Sequence, residues 1–475
     1  MLVARQQPTR ADWDKVLSYT SRVRCLNEQP FGSESAVLPP DTADAMCEWI
    51  RPFSFLFPKL RKVCISLQHD RYYRFITTFI TEPSLLHLEL DGCYQPLLFQ
   101  CAPNLASTCP SLVTLNITCE VYQIDDEDNG NNPIPAVLEN LCGWRNLRNL
   151  SCGPLDCDAL TYLSCLPTLR SLSIPATKYS SWINSPKRGY FDSLDHLTLL
   201  VDDFQVCMTA ITMLFSLPDG RKAHLRSLRL QVDISQRGEA LFSSPSQLAS
   251  VTTALTAYLA RTSLKEFFVS QESIPDAGMV PALTNLYTGL FPLTSFPALT
   301  HLTTRHYGNR SDDGYLLTES ELLELLRHWP ALERIDCATQ SISLRSLVTI
   351  LRLCSGVRFI MVPVKFSLND VFECLFGAER PRGTPLTFAD LPCHTSVTDL
   401  SFTFEPPDVV SPEAMLAVAT FFFRVVPNIR APFDRRLLEY VTRKQFWDAT
   451  FAIVKSLRSG LWDSFLNRFV PPNPV

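Results

Sequence analysis

A short apolar pattern, leucine-x-x-leucine-x-leucine with other apolar residues standing in, recurs along most of the chain and limits what it can fold into. It reads Leu60–Val63–Ile65, Leu85–Leu88–Leu90, Leu112–Leu115–Ile117, Leu147–Leu150–Cys152, Leu169–Leu172–Ile174, Leu194–Leu197–Leu199 and Leu225–Leu228–Leu230. Looser copies follow at Leu264–Phe267–Val269, Leu299–Leu302–Thr304, Leu332–Ile335–Cys337, Val357–Ile360–Val362 and Val397–Leu400–Phe402. A half-copy stands earlier, at Val23–Leu26. Lead residues are spaced from 22 (Leu147 to Leu169) to 40 (Val357 to Val397), within the range of solenoid repeats. The last two apolar positions of each copy alternate, so they share one face of a short strand. One strand cannot bury that face alone. Stacked copies build a parallel sheet whose apolar side meets a layer of helices.

The segments between copies supply the helices. Tyr72–Thr81 carries Tyr73, Phe75, Ile76, Phe79 and Ile80 at helical spacing, and Pro135–Gly143 carries Val137, Leu138 and Leu141. Cys157–Leu163, Gln247–Leu259, Leu344–Leu353 and Asp370–Phe376 continue the pattern, and Thr318-x-x-Glu321 reads as a capping box ahead of Leu322 and Leu325. The expected fold is therefore α/β: a leucine-rich-repeat solenoid, a curved parallel sheet with helices on its convex side and helical caps at its ends. The polar segments 125–132, 184–190 and 307–314 read as surface loops.

Three regions follow from the pattern. Residues 1–56 form an N-terminal helical cap and the first half-repeat, 57–410 the solenoid, and 411–475 a C-terminal helical cap. In the first, Ala11–Thr20 is expected to be a helix capped by Thr9 and Asp12, with Trp13, Val16 and Leu17 plugging the first repeat. In the last, Ser411 opens a helix, Val426–Ile429 reads as one more degenerate strand, and Asp434–Phe469 is helical.

Composition narrows the function. Apolar residues are 46% and charged residues 19% of 475, enough to fold most of the chain. A net charge of −5 offers no basic footprint for nucleic acid or anionic lipid, so neither is expected as a partner. No apolar run approaches the length of a membrane-spanning helix, and the N-terminus lacks the apolar core of a signal peptide. The 16 cysteines are then expected to be reduced and structural, Cys152 and Cys337 among them, in the cytoplasm or nucleus. Of the three N-x-S/T sequons, those at Asn116 and Asn149 fall inside expected strands.

Catalytic signatures are missing. The chain has no glycine-rich phosphate loop, G-x-S-x-G elbow or H-E-x-x-H motif, and the spacing of Cys152, Cys157 and Cys165 fits no standard zinc framework. No enzyme, cofactor or metal is expected. The side chains lying between the buried apolar positions of each strand form the concave face, where such solenoids bind their ligands. Three histidines lie on it, His87, His196 and His301, too many repeats apart to share a metal. In the C-terminal half Phe268, Phe359 and Met361 join Arg305 and Arg334 on this face. Aromatic, Met and Arg groups together are what protein interfaces favour, so these five residues are the candidate partner-binding set.

The N-terminal residues Pro8-Thr9-x-x-Asp12-Trp13, Tyr19, Ser21-Arg22-Val23-Arg24 and Leu26, with the repeats that follow, carry a family resemblance. The chain resembles the region downstream of the F-box in the F-box/leucine-rich-repeat family of mushroom-type fungi. The resemblance implies the substrate-recognition part of an adaptor in a Skp1–cullin–F-box ubiquitin ligase. The F-box itself is not in the sequence, so Skp1 is an expected partner only if that module lies upstream. The Asn/Cys position of a standard leucine-rich repeat is met by Cys93 but by few other copies. The alternative is a stand-alone repeat scaffold with no ligase link.

Overall fold

The computed structural model describes residues 9–27, 48, 57–66, 83–91, 105–118, 142–177, 180, 182–183, 190–202, 204–217, 219–233, 246–272, 286–307, 317–337, 339, 341–376, 391–400, 403–404, 412–429, 450 and 452–457. They belong to two compact units, Met1–Gln236 and Arg237–Val475. The helices expected over 72–81 and most of 135–143 and 434–469, and the inserts 125–132 and 308–314, lie outside the described residues, although 450 and 452–457 are helical.

The first unit is a solenoid-type parallel sheet of β1 (Cys25–Asn27), β2 (Lys62–Ser66), β3 (His87–Asp91), β4 (Thr114–Thr118), β5 (Asn149–Ser151), β6 (Ser171–Ala176), β7 (His196–Val201) and β8 (Ser227–Asp233). Each strand pairs in parallel with the next in sequence. Eight apolar repeats, the half-copy included, thus become eight strands. Register keeps the pattern intact: Val63, Leu88, Leu115, Leu150, Leu172, Leu197 and Leu228 form one continuous, fully buried row. Helix α1 (Arg10–Thr20) precedes β1, and between strands run α2 (Leu105–Thr108), α3 (Cys157–Ser164) and α4 (Phe204–Phe215). The last of these buries Val206, Cys207, Ala210, Ile211, Leu214 and Phe215.

The second unit contains β9 (Glu266–Glu272), β10 (His301–Tyr307), β11 (Arg334–Cys337), β12 (Phe359–Ile360), β13 (Lys365–Phe366), β14 (Asp399–Leu400) and β15 (Thr403–Phe404). β9, β10, β11, β12 and β14 pair in parallel in that order, and Phe267, Leu302, Ile335, Ile360 and Leu400 make the buried row. The helices are α5 (Ser246–Tyr258), α6 (Leu286–Leu290), α7 (Glu319–Leu326), α8 (Leu344–Leu353), α9 (Leu368–Phe376) and α10 (Pro412–Val425). Consecutive helices are packing neighbours. At the closest approach Thr252 donates to the Gly289 carbonyl at 2.7 Å, and a Cβ on Gly289 would sit 2.7 Å from Leu248 Cδ2. A second parallel ladder, which the repeat pattern does not announce, pairs β13 with β15 and adds single bridges at Leu317–Thr339 and Ile342–Val364.

A recurrent device stands just ahead of many strands. The lead residue's amide donates to the carbonyl of the residue three before it, as in Leu60 to Phe57 (2.9 Å), Leu332 to Trp329 (3.1 Å) and Val357 to Cys354 (3.1 Å). The residue immediately before the lead is often Ser or Thr, and it reaches back one repeat. Ser84 donates to the Leu60 carbonyl at 2.9 Å, Thr168 to Leu147 at 2.9 Å, Ser193 to Leu169 at 3.1 Å and Ser396 to Val357 at 2.9 Å. Two buried tryptophans at the turn position are satisfied the same way: Trp144 donates to the Cys109 carbonyl (3.0 Å) and Trp329 to the Leu293 carbonyl (3.2 Å).

Two expectations need correction. Val426–Ile429 is not a strand but this same lead-in turn. The Ile429 amide donates to Val426 at 3.0 Å, both residues are buried, and Asn428 reaches the Thr395 carbonyl at 2.7 Å, much as Thr168 reaches Arg145. The helix α1 has the expected capping box, with Thr9 and Asp12 bonding each other's backbone amides. Its apolar stripe, however, does not plug the stack: Thr20 is its only buried residue and Val16 is 40% exposed.

Candidate protein-binding face

Strand alternation puts two rows of side chains on the sheet face opposite the buried one. In the first unit they run in register as Lys62, His87, Thr114, Asn149, Ser171, His196 and Ser227, and as Cys64, Glu89, Asn116, Ser151, Ser173, Thr198 and Arg229. None of these is buried. Neighbours bond across strands: Lys62 to Glu89 at 3.2 Å, and His87 Nδ1 and Asn149 Nδ2 each 3.1 Å from Thr114 Oγ1. Burial and the Glu89 carboxylate hold the Cys64 thiol above its ordinary pKa, so it is no ready nucleophile. The two sequons in strands occupy the ladder at β4 and β5, as read from the sequence.

The second unit's outward face differs. Its first row is Glu266, His301, Arg334, Phe359 and Asp399, and its second begins Phe268, Thr303 and Asp336. Glu266, Phe268, His301, Arg334, Phe359, Met361 and Asp399 are half-buried, but Thr303 and Asp336, expected to be open on this face, are buried. Ser270, two residues beyond Phe268, is only 2% exposed, and its Oγ has no hydrogen-bond partner among the described residues.

Of the five candidate residues, the structure brings Arg334 and Phe359 into direct contact. The guanidinium carbon lies 3.9 Å from the ring centroid, and Nη2 donates to Asp336 at 3.1 Å. Met361 follows Phe359, anchored by its amide to the Ile335 carbonyl at 2.7 Å. Phe268 sits on the same face but is separated from Asp336 by Thr303 on the intervening strand. Arg305 occupies β10 in register with Ser270, away from the Arg334–Phe359 pair; only its strand position is described.

Sequence reading passed over Asp336 as a functional residue because it lies in a polar row like any other. Its distinguishing property is burial beside an arginine two positions earlier on the same strand face, a spacing that alternation makes visible once the strand is known. His301 bonds through Nδ1 to Thr300 Oγ1 at 2.9 Å, while Thr300 donates to the Lys265 carbonyl. With the Thr300 hydroxyl proton directed at that carbonyl, Nδ1 is the donor in this contact.

On the buried side, Cys337 is enclosed and its thiol is pushed up to about 12 by burial, with the Asp336 carboxylate adding to the effect. Cys152 is likewise buried, whereas Cys25, Cys142, Cys165 and Cys393 are exposed, so the cysteines are not uniformly core residues. Among the described residues no group of three or more His, Cys, Asp and Glu could hold a metal ion, and no helix is long and apolar enough to cross a membrane. No family model and no curated protein matches the chain.

Proposed function

We propose that this chain is a protein-binding leucine-rich-repeat module and that the outward sheet face of its second unit holds the partner. The observation that carries the reading is the half-buried Arg334–Phe359 stack, with Met361 two residues on, whereas the outward rows of the first unit are hydroxyl- and amide-rich. Arginine and aromatic groups fixed in one conformation are the composition of interface hot spots. Following the family resemblance, the bound protein is a substrate brought to an F-box-type ubiquitin ligase. Without an F-box the same face serves a stand-alone scaffold.

A photo-crosslinking residue placed at Met361, with a control at the exposed helix position Thr253, tests the binding face. A specific adduct from Met361 but not from Thr253 is expected, and equal labelling at both positions overturns the reading. Skp1 mixed with the full native product separates the two roles: a complex supports the ligase adaptor, and its absence leaves the scaffold.

A further inference from the structure

Of the outward side chains on the second unit's sheet, Arg334 is held from two directions at once. Its guanidinium lies over Phe359 and donates to Asp336. The two charges are unequally sheltered: the arginine side chain is 34% exposed, the aspartate 10%. A ligand approaching this face meets the cation before the anion. A guanidinium carries five N–H donors, and Asp336 is its one hydrogen-bond partner among the described residues, so donors remain for an incoming group. The stack and the ion pair already restrict the side chain's rotamers, which removes part of the entropy loss that binding would otherwise incur.

The surroundings select the anion. Asp336 is ion-paired to the guanidinium, and Glu266 and Asp399 stand in the same row on either side, so each further negative charge on a ligand adds more repulsion than attraction. A singly charged carboxylate fits this balance better than a phosphate. Phe359 lies against the guanidinium, and half-buried Met361, two residues on, adds apolar surface to the same face. We propose that this face captures a protein segment carrying an Asp, a Glu or a C-terminal carboxylate next to an apolar side chain, the carboxylate on Arg334 and the apolar group on Phe359 and Met361. The proposal rests on the reading of this face as a protein-binding surface.

A random displayed-peptide library panned on the full chain, and in parallel on the face-blocked variant Met361→Arg, tests it. Peptides that need the open face are expected to be enriched in an acidic residue beside an apolar one. A synthetic peptide of that kind should bind at least about tenfold more weakly to Arg334→Met/Asp336→Asn. That double variant removes both charges together, so no carboxylate is left buried and unpaired, and circular dichroism confirms its fold. Converting the peptide's acid to its amide should cause the same loss, and phosphoserine in its place should weaken binding.

Face-dependent peptides without an acid, an undiminished affinity for the double variant, or tighter binding of phosphoserine would each overturn the carboxylate assignment while leaving the face reading intact. A library yielding no peptide sensitive to Met361→Arg would overturn both.

Discussion

Glu319 shows how much one side chain can do between repeats. It stands in the first turn of α7, and its carboxylate accepts from the Ser343 amide at 3.1 Å, from the Ser343 hydroxyl at 2.7 Å and from the Ser346 hydroxyl, all at the N-terminus of α8. Burial alone would raise its pKa, but the hydrogen bonds from Ser346 and Ser343 outweigh it and hold the carboxyl below its ordinary 4.5. A depressed folded pKa means the contribution is present above 4.5 and is lost as pH falls through the lower folded value. Glu319→Gln is expected to cost about 1–3 kcal/mol near neutral pH. Amide exchange at the start of α8 checks this: protection in the native chain should drop on acidification below 4.5, while the variant should show no such step. None of this was legible beforehand, because the sequence marks Glu319 only as an acid in a first helical turn. Which neighbouring helix it reaches is decided by stacking.

At the scale of elements, the strands were legible and the caps only partly so. A period of two over the last two apolar positions of each copy leaves a strand little choice of face, which is why every copy from Leu60 to Val397 became a strand, in register with its neighbours within each unit. The capping boxes at Thr9 and Thr318 were legible too, since they need only local spacing. Amphipathicity does not say what an apolar stripe will meet, so α1 formed where expected without burying Trp13, Val16 or Leu17. Thr9→Ala should therefore fray α1 by about 1 kcal/mol and leave the sheet untouched. Exchange rates should rise within Arg10–Thr20 alone; a matching loss of protection in β2 would contradict the weak packing described for α1. The turn ahead of many strands escaped notice for another reason. Its first residue is Phe57, Cys109, Trp144 or Val426, and what these share is a backbone bond rather than a chemistry. The Ser and Thr links to the preceding copy are individually testable: Ser193→Ala, which removes the one hydroxyl donor shared between the Leu169 and Leu166 carbonyls, should lower stability by about 0.5–1.5 kcal/mol in urea unfolding.

Over the whole molecule, charge works against the site proposed for the second unit. The chain carries −5 overall, so an acidic partner is repelled at long range and attracted only near Arg334. Salt at physiological strength screens charges more than about 8 Å apart and affects a half-buried contact much less. Raising salt from low to physiological strength should therefore speed association with an acidic peptide, or leave it unchanged, while dissociation also quickens. Stopped-flow measurement of both rates would reveal it, and a steep fall in the association rate would mean that attraction acts from afar. The location of this site was half legible: alternation put Arg334 and Phe359 on one face, but only the folded structure shows the aspartate that steadies the arginine.

The lead-in turn has a consequence for how such a chain can change. Many strands follow a bond three residues long and, in many copies, one hydroxyl reaching back to the preceding copy. The stretch between two copies does not enter that geometry. Lead residues 22 apart and 40 apart deliver strands in the same alignment. A change of length in the connectors outside their packed helices is thus expected to leave the sheet's alignment intact, and an epitope or reporter grafted there would leave the next strand where it was. The connectors are the part of this architecture open to innovation, and the turn is what makes them so.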